Sequence, residues 1–181
     1  MLADQVNDFS SRLPPVEKWD PPLSGMLDMR IDKAGQWFYL GSLIQRAALV
    51  KLFSTILKKE GEQYFLVTPV EKWHIEVEDV PFLIVTMDVI TAAEQQNILF
   101  TTNTEDRFYL SQEHPLWVVS DPHYPQQPRP YAMVRGNLPG LISRTVYYQL
   151  VDCAVEIKSQ QTAQADFIVT SQGQQFSLQP H

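Results

Sequence analysis

Two stretches of the chain carry apolar residues at the three-and-four spacing of an amphipathic helix, and they match each other 98 residues apart. The tetrapeptide Leu-Ile-Gln-Arg at 43–46 returns as Leu-Ile-Ser-Arg at 141–144. The apolar positions that follow are Leu49, Leu52, Phe53, Ile56 and Leu57 in the first stretch and Tyr147, Leu150, Val151, Ala154 and Val155 in the second. We therefore predict two related amphipathic helices.

The first of these helices has residues at both ends that are typical of helix termini. Ser42 and Gln45 form the pattern of a capping box, in which each side chain satisfies a backbone N–H of the first turn. Gly61 is a residue type that commonly ends a helix. The sequence predicts a helix over about 43–59.

Short runs of β-branched and aromatic residues between turn residues predict strands. Each helix is followed by a nearly identical run, Phe-Leu-Val-Thr at 65–68 and Phe-Ile-Val-Thr at 167–170. A second internal similarity has an offset of 34 residues, by which residues 67–71 resemble 101–105 and residues 81–85 resemble 115–119. These echoes predict consecutive hairpins of a meandering sheet, with turns at Lys33-Ala34-Gly35 and near Gln172-Gly173.

One amphipathic helix cannot bury its apolar stripe alone, so each copy is predicted to wrap a curved antiparallel sheet around its own helix. The predicted fold class is α+β with two similar subdomains, the first over 24–95 and the second over 96–181. Residues 121–130 contain four prolines and are predicted to form a stiff, extended connection.

The N-terminal residues 1–23 are predicted to form a short helix followed by an irregular arm. Leu2, Val6, Phe9 and Leu13 recur at helical spacing, and Pro14 then stops the pattern. This helix is expected either to pack on the body of the protein or to bind a partner.

Composition and charge narrow the classes of function. With 44% hydrophobic and 19% charged residues, the 181-residue chain can bury a core. Its net charge of -7 argues against nucleic acid and against anionic membranes as partners. Cys153 is the single cysteine and has no neighbour at metal-ligand spacing, which fits a cytoplasmic location, and no cofactor is predicted. The oligomeric state stays open, with a homodimer as one option.

The strongest candidate for chemistry is the alternating run around His74. On a strand, His74, Glu76 and Glu78 share one face, where they could hold a cation or do acid-base work as a metal-assisted hydrolase, with Asp79 beside them. The alternative is the solvated face of a half-buried strand. The run lacks a second His or Cys at ligand spacing.

Two arginines and several aromatic residues are the candidates for ligand binding. Arg46 and Arg144 are equivalent in the repeat and lie in the first turns of their helices, where a cation opposes the helix dipole. Each is expected to pair either with an internal carboxylate, such as Glu71, Asp79 or Glu105, or with an anionic ligand. The aromatic residues lie on predicted strands and could line a pocket or fill the core; the candidates are Trp37, Tyr39, Trp73 and Trp117.

The segments 66–72, 75–82, 37–46 and 141–150 together resemble a bacterial family known as domain of unknown function 1285. The resemblance covers about residues 25–181. It implies a two-part α+β fold with repeated motifs and a role in signal transduction, and it supplies no catalytic residues.

The sequence leaves three functions open and leans away from an enzyme. The first is a non-catalytic module that binds a ligand or partner in a cleft between two similar halves. The others are the hydrolase built on His74 and an interaction scaffold that uses the proline-rich segment or the N-terminal helix.

Overall fold

The computed structural model describes residues 13–124, 126–158 and 165–180, and the chain divides into two compact units between Pro81 and Phe82. The sequence placed this boundary after residue 95. That position lies at the start of the second strand of a long hairpin, 82–92 with 95–102, and the hairpin belongs wholly to the second unit. Within the described residues, no helix has the length and apolar character to cross a membrane.

The first unit contains one six-stranded sheet and one helix. Its elements are β1 Leu23–Ile31, β2 Trp37–Tyr39, β3 Ser42–Leu43, α1 Ala47–Ser54, β4 Leu57–Glu60, β5 Gln63–Val67 and β6 Lys72–Val77. The strand order is β3-β2-β1-β6-β5-β4, in which only β1 and β6 are parallel.

The second unit contains a six-stranded sheet, a helix and a separate three-stranded sheet. Its elements are β7 Phe82–Ala92, β8 Gln95–Thr102, β9 Arg107–Tyr109, β10 Leu116–Ser120, β11 Pro128–Arg135, β12 Leu138–Ile142, α2 Arg144–Cys153, β13 Val155–Lys158, β14 Ala165–Ser171 and β15 Gln174–Ser177. The larger sheet has the order β10-β11-β12-β7-β8-β9.

Both six-stranded sheets are built in the same way. Each consists of two consecutive antiparallel meanders of three strands, and the first strand of one meander pairs in parallel with the last strand of the next. The parallel pair is β1 with β6 in the first unit and β7 with β12 in the second. The duplicated unit is therefore a pair of meanders. Strands β1 to β6 form the first copy, and strands β7 to β12 form the second.

The 34-residue echo reflects equivalent positions in successive meanders. Thr68 and Thr102 both stand at the turn from the second to the third strand of a meander. The Thr68 Oγ1 accepts the N–H of Glu71 at 3.0 Å, and the Thr102 Oγ1 accepts the N–H of Asp106 at 3.0 Å. A threonine hydroxyl that caps a tight turn explains why these residues recur.

The first helix is shorter than predicted, and its predicted caps are wrong. The helix covers Ala47–Ser54 instead of about 43–59, Ser42 belongs to β3, and Gly61 lies in the β4–β5 turn with a φ of +58°. Strand pairing decides this outcome, because Leu57–Glu60 form a ladder with β5. The α1 stripe is only partly covered, since Leu52 is 60% exposed.

The second helix is confirmed over Arg144–Cys153 and is well anchored. Ser143 is its N-cap, and the Ser143 Oγ accepts the N–H of Val146. Val146 and Leu150 are completely buried and α2 packs on β7 and β14, whereas Val151 and Val155 from the predicted stripe are partly or largely exposed.

The helix repeat is only local. Each helix is followed by a three-stranded meander, and the Phe-Leu-Val-Thr and Phe-Ile-Val-Thr runs supply its central strand. The two helices nevertheless occupy different places: α1 joins two meanders of one sheet, and α2 follows a completed sheet. The picture of one curved sheet wrapped on each helix is therefore corrected.

Other expectations have mixed outcomes. The turns at Lys33-Ala34-Gly35 and Gln172-Gly173 are confirmed as hairpin turns. The proline-rich segment 121–130 connects β10 with β11 inside the second unit, and its last three residues begin β11. The N-terminal helix predicted from Leu2, Val6, Phe9 and Leu13 lies outside the described residues except for its last position, and the following arm contains a 3₁₀ turn at Val16–Lys18.

Gly140 makes the parallel pair of the second unit possible. It lies on β12 opposite Phe82 of β7, and a Cβ at this position would come within 2.9 Å of the Val134 Cγ2 and 3.2 Å of the Phe82 Cβ. These neighbours are buried, so they have little room to move.

We expect Gly140→Ala to lower the free energy of unfolding by about 1 to 3 kcal/mol, because the added methyl group overpacks this contact. Chemical denaturation measures the change. Ser120→Thr, which adds one carbon at an exposed position of β10, serves as the control and should change stability by less than about 0.5 kcal/mol. Equal stability of Gly140→Ala and the parent would contradict the tight packing.

Candidate functional site

The second unit carries an open pocket of about 430 Å³ where the start of α2 faces the β10–β11 connection. We call it the β11–α2 pocket. Its lining consists of Asp121, residues 126–130, Leu141, Ile142, Arg144, Tyr147 and Tyr148. Its volume falls within the range of roughly 300 to 1,000 Å³ that small-molecule sites occupy.

The wall from α2 is held in place by backbone hydrogen bonds and burial. The N–H of Ser143 donates to the carbonyl oxygen of Ile84 on β7 at 3.0 Å, which fixes the point where the helix begins. Val146 and Leu150 then fasten the inner face of the helix in the core. Arg144 and Tyr148 consequently project from a rigid element, and both are exposed at the pocket.

The opposite wall contains one carboxylate and one guanidinium group. The Asp121 Oδ1 accepts the backbone N–H groups of His123 at 2.8 Å and Tyr124 at 3.2 Å. These bonds, the one from His123 first, together with the positive charge of Arg129, lower the pKa of Asp121 below its ordinary value. Asp121 is therefore a fixed carboxylate at neutral pH.

An aromatic stack supports Arg129. The Arg129 Cζ lies 5.7 Å from the centroid of the Tyr131 ring, and Tyr131 stacks on Trp117 with centroids 5.8 Å apart. These side chains lie on one face of β10 and β11. Trp117, which the sequence predicts as a candidate for ligand binding, therefore contacts the pocket residue Arg129 indirectly, through Tyr131.

Tyr147 forms the inner part of the pocket. Its hydroxyl donates to the carbonyl oxygen of Leu178 at 3.4 Å, and burial raises the pKa of this phenol above its ordinary value. The side chain is therefore a neutral donor and an apolar surface at neutral pH.

The sequence candidates of the first unit lie in varied surroundings. Trp37 is buried against Phe53, with ring centroids 6.4 Å apart, and its Nε1 has no hydrogen-bond partner among the described residues. Tyr39 and Arg46 are exposed. Trp73 is half-buried, and its ring packs close to the backbone of Gly25. Trp37 is thus a core residue.

His74 packs as a structural residue in β6. Its ring lies 5.5 Å from the ring of Phe65 on the neighbouring strand, in an edge-to-face arrangement. Glu78 pairs with Arg30, and its Oε2 also accepts the N–H of Lys33 at 3.2 Å. In the described ranges 13–124, 126–158 and 165–180, no three His, Cys, Asp or Glu side chains come close enough to hold a metal ion.

The sequence predicts ion pairs with internal carboxylates as one option for Arg46 and Arg144. In the structure, other arginines form such pairs. Arg30 pairs with Glu78, and the Arg135 Nη1 lies 3.4 Å from the Asp106 Oδ1. Asp106 also accepts the hydroxyl of Thr104 at 2.6 Å, and the Arg135 guanidinium lies over the Phe82 ring. The part of the chain that the structure describes shows no ion pair for Arg46 or Arg144.

The first unit also contains a partly buried charge cluster. The Glu60 carboxylate accepts Lys72 at 2.6 Å and lies 3.3 Å from the Nζ of Lys58, which in turn donates to the carbonyl oxygen of Trp19 at 2.9 Å. The hydrogen bond from Lys72 is the main cause that lowers the pKa of Glu60 below its ordinary value near 4.5.

Sequence reasoning found Arg144 but missed its neighbours in the pocket. Arg129 lies in the segment that the sequence predicts to be a connection, Tyr147 belongs to the predicted apolar stripe, and Tyr148 belongs to no predicted site. The usable signal was an arginine followed at helical spacing by two tyrosines, since i and i+3 or i+4 share a helix face.

Two family models match adjacent parts of the chain. Residues 14–80 match the N-terminal domain described as "Domain of unknown function (DUF1285)", and residues 81–178 match the C-terminal domain described as "Protein of unknown function (DUF1285)". These bounds agree with the division of the structure at Pro81.

Two solved structures are similar to this chain. A DUF1285 family protein from Silicibacter pomeroyi DSS-3 is 38% identical, with a TM-score of 0.83, and the match covers 99% of this chain and 95% of that one. A DUF1285 family protein from Shewanella baltica OS155 is 29% identical, with a TM-score of 0.54 over 70% of this chain and 91% of that one. No curated protein matches the chain.

Removal of Arg135 should strongly destabilise the second unit, because it leaves the carboxylate of Asp106 in a largely buried position without its cation. We expect Arg135→Ala to lower the free energy of unfolding by about 2 to 4 kcal/mol in chemical denaturation. Arg46→Ala is the matched control, and a change below about 0.5 kcal/mol is expected there. Similar losses in both variants would contradict the assignment of Arg135 as the internal tie.

The Glu60 cluster should make stability depend on acid pH. A carboxylate whose folded pKa is lowered contributes stability that is present above its unfolded pKa and is lost as the pH falls through the folded value. The free energy of unfolding should therefore decrease below about pH 4.5, and less steeply in Glu60→Gln than in the parent. Denaturant titrations at several acid pH values measure both slopes, and identical slopes would refute the role of Glu60.

Proposed function

The chain belongs to the DUF1285 family, and from that premise we propose that it is a non-catalytic binding module whose small-molecule ligand occupies the β11–α2 pocket. The observation that carries the proposal is the pocket itself, which brings charged, phenolic and apolar side chains from a sheet, a helix and a loop to one place. Such a combination is typical of ligand sites, where apolar walls provide affinity and a few polar groups provide orientation.

The walls of the pocket support binding because they are preorganised. Leu141 and Ile142 belong to the β12 strand that pairs with β7, and Arg144 follows two residues after Ile142 at the start of an anchored helix. A ligand therefore meets side chains whose backbone is already fixed, which reduces the entropy lost on binding.

The chemistry of the lining favours recognition over catalysis. A general acid or base works best with a pKa near the working pH. Hydrogen bonds hold the pKa of Asp121 low, and burial raises that of Tyr147, so both groups keep one protonation state near neutral pH. They are suited to fixed electrostatic and hydrogen-bonding contacts.

A ligand-responsive module of this kind fits a role in bacterial signal transduction in the cytoplasm. In this proposal, a bound ligand contacts the β10–β11 connection and changes the surface around its exposed residues His123 and Tyr124, whose backbone N–H groups donate to Asp121 of the lining. A partner protein that binds the β10–β11 connection would then bind differently with and without the ligand.

A fragment screen monitored by ¹H–¹⁵N NMR tests the proposal. We expect compounds that bind at concentrations on the order of 1 mM to shift the amide signals of residues 126–130 and of the first turns of α2. Gln127→Trp, which fills the pocket from its rim, should weaken these compounds at least about tenfold.

Gln149→Trp is the matched control, since it places the same side chain at an exposed position of α2 outside the pocket. It should leave binding unchanged. The proposal is overturned if no fragment binds, or if the fragments that bind shift signals elsewhere and ignore Gln127→Trp.

A further inference from the structure

The charges of the β11–α2 pocket do not cancel among its own residues. The lining contains two guanidinium groups, of Arg129 and Arg144, and one carboxylate, of Asp121, which leaves one positive charge in excess. Arg129 acts on Asp121 electrostatically, and both lie on the same wall. The excess charge is therefore carried by Arg144 on the opposite wall.

Arg144 has a position that a cation does not favour by itself. It is the first residue of α2, where the helix dipole presents its positive end. The other well-positioned arginines, Arg30 and Arg135, each pair with a carboxylate, whereas Arg144 is exposed and forms no ion pair with a described residue. An anion bound to Arg144 would offset both the dipole and the excess charge.

The remainder of the pocket is suited to a flat apolar group. Tyr148 is 59% exposed, and Leu141, Pro128 and Pro130 contribute further apolar side chains to the lining of the pocket. Tyrosine and proline faces pack well against aromatic rings. A guanidinium group binds a carboxylate through two parallel hydrogen bonds, so it also orients the plane of the ligand.

We propose that the ligand of the β11–α2 pocket is a small aromatic monocarboxylate, whose acid group is bound by Arg144 and whose ring lies against Tyr148. This inference rests on the proposed function, because it assigns the ligand class of the same pocket. One negative charge neutralises the excess, and the ring covers the apolar wall.

The test uses three probes that share one ring system and differ in charge: 2-naphthoate, its neutral amide 2-naphthamide, and the cation 2-naphthylmethylammonium. NMR titration of the full chain gives their dissociation constants. We expect 2-naphthoate to bind at least about tenfold more tightly than the amide, and the cation to bind most weakly. Raising the salt concentration should weaken only the binding of 2-naphthoate.

Two variants assign the effect to its residue. Arg144→Gln should weaken 2-naphthoate at least about tenfold, remove the preference over the amide, and leave the unfolding midpoint unchanged, because the side chain is exposed. Arg107→Gln removes an exposed arginine of β9 outside the pocket and should leave the binding of all three probes unchanged.

The two proposals fail in different ways. If acid and amide bind equally in the pocket and Arg144→Gln has no effect, the ligand class is wrong and the binding module stands. If the cation binds best, the ligand class is again wrong. If none of the three probes binds and the fragment screen also yields no ligand of the pocket, both proposals are overturned.

Discussion

The parallel pairing of a first strand with a last strand is the constraint on which each six-stranded sheet depends. A three-stranded meander forms from local hairpins, but each of its two outer strands leaves a row of unpaired backbone groups at an edge. The parallel pairs β1–β6 and β7–β12 join two meanders into one sheet. In the second unit this joint involves three residue pairs, and it requires Gly140 at the point of closest approach.

The same joint positions the pocket. Ile142 is the last residue of β12 that pairs with β7, and the N–H of the next residue, Ser143, continues the contact to Ile84 before it caps α2. The register of one short parallel pair therefore determines where the helix begins. The position of Arg144 relative to the sheet follows from that register.

Charged side chains serve two distinct roles in this fold. Arg30 and Arg135 pair with carboxylates and lie over the rings of Phe38 and Phe82, respectively. Their charges are therefore neutralised by partners within the fold. The Arg135–Asp106 pair is largely buried, so it is costly to break and is suited to fixing the structure. Arg144 lies at a surface pocket, where its charge is accessible to a ligand.

The sequence by itself determined the features that depend on neighbours along the chain: the strand runs, the turns at Gly35 and Gly173, the presence of a second helix that contains Tyr147 and Leu150, and the family. Residue periodicity and turn chemistry are local, so they can be read from a short window. The threonine echo between Thr68 and Thr102 also belongs here, because each threonine caps its own turn.

Only the tertiary structure decided which strands share a sheet, where α1 ends and which side chains form the pocket. Strand pairing satisfies backbone groups through partners that are distant in sequence, and it overrides helical periodicity where the two compete, as at Leu57. Arg129 and Arg144 line the same pocket because β11 pairs with β12 and α2 directly follows β12, a relation that no local pattern encodes.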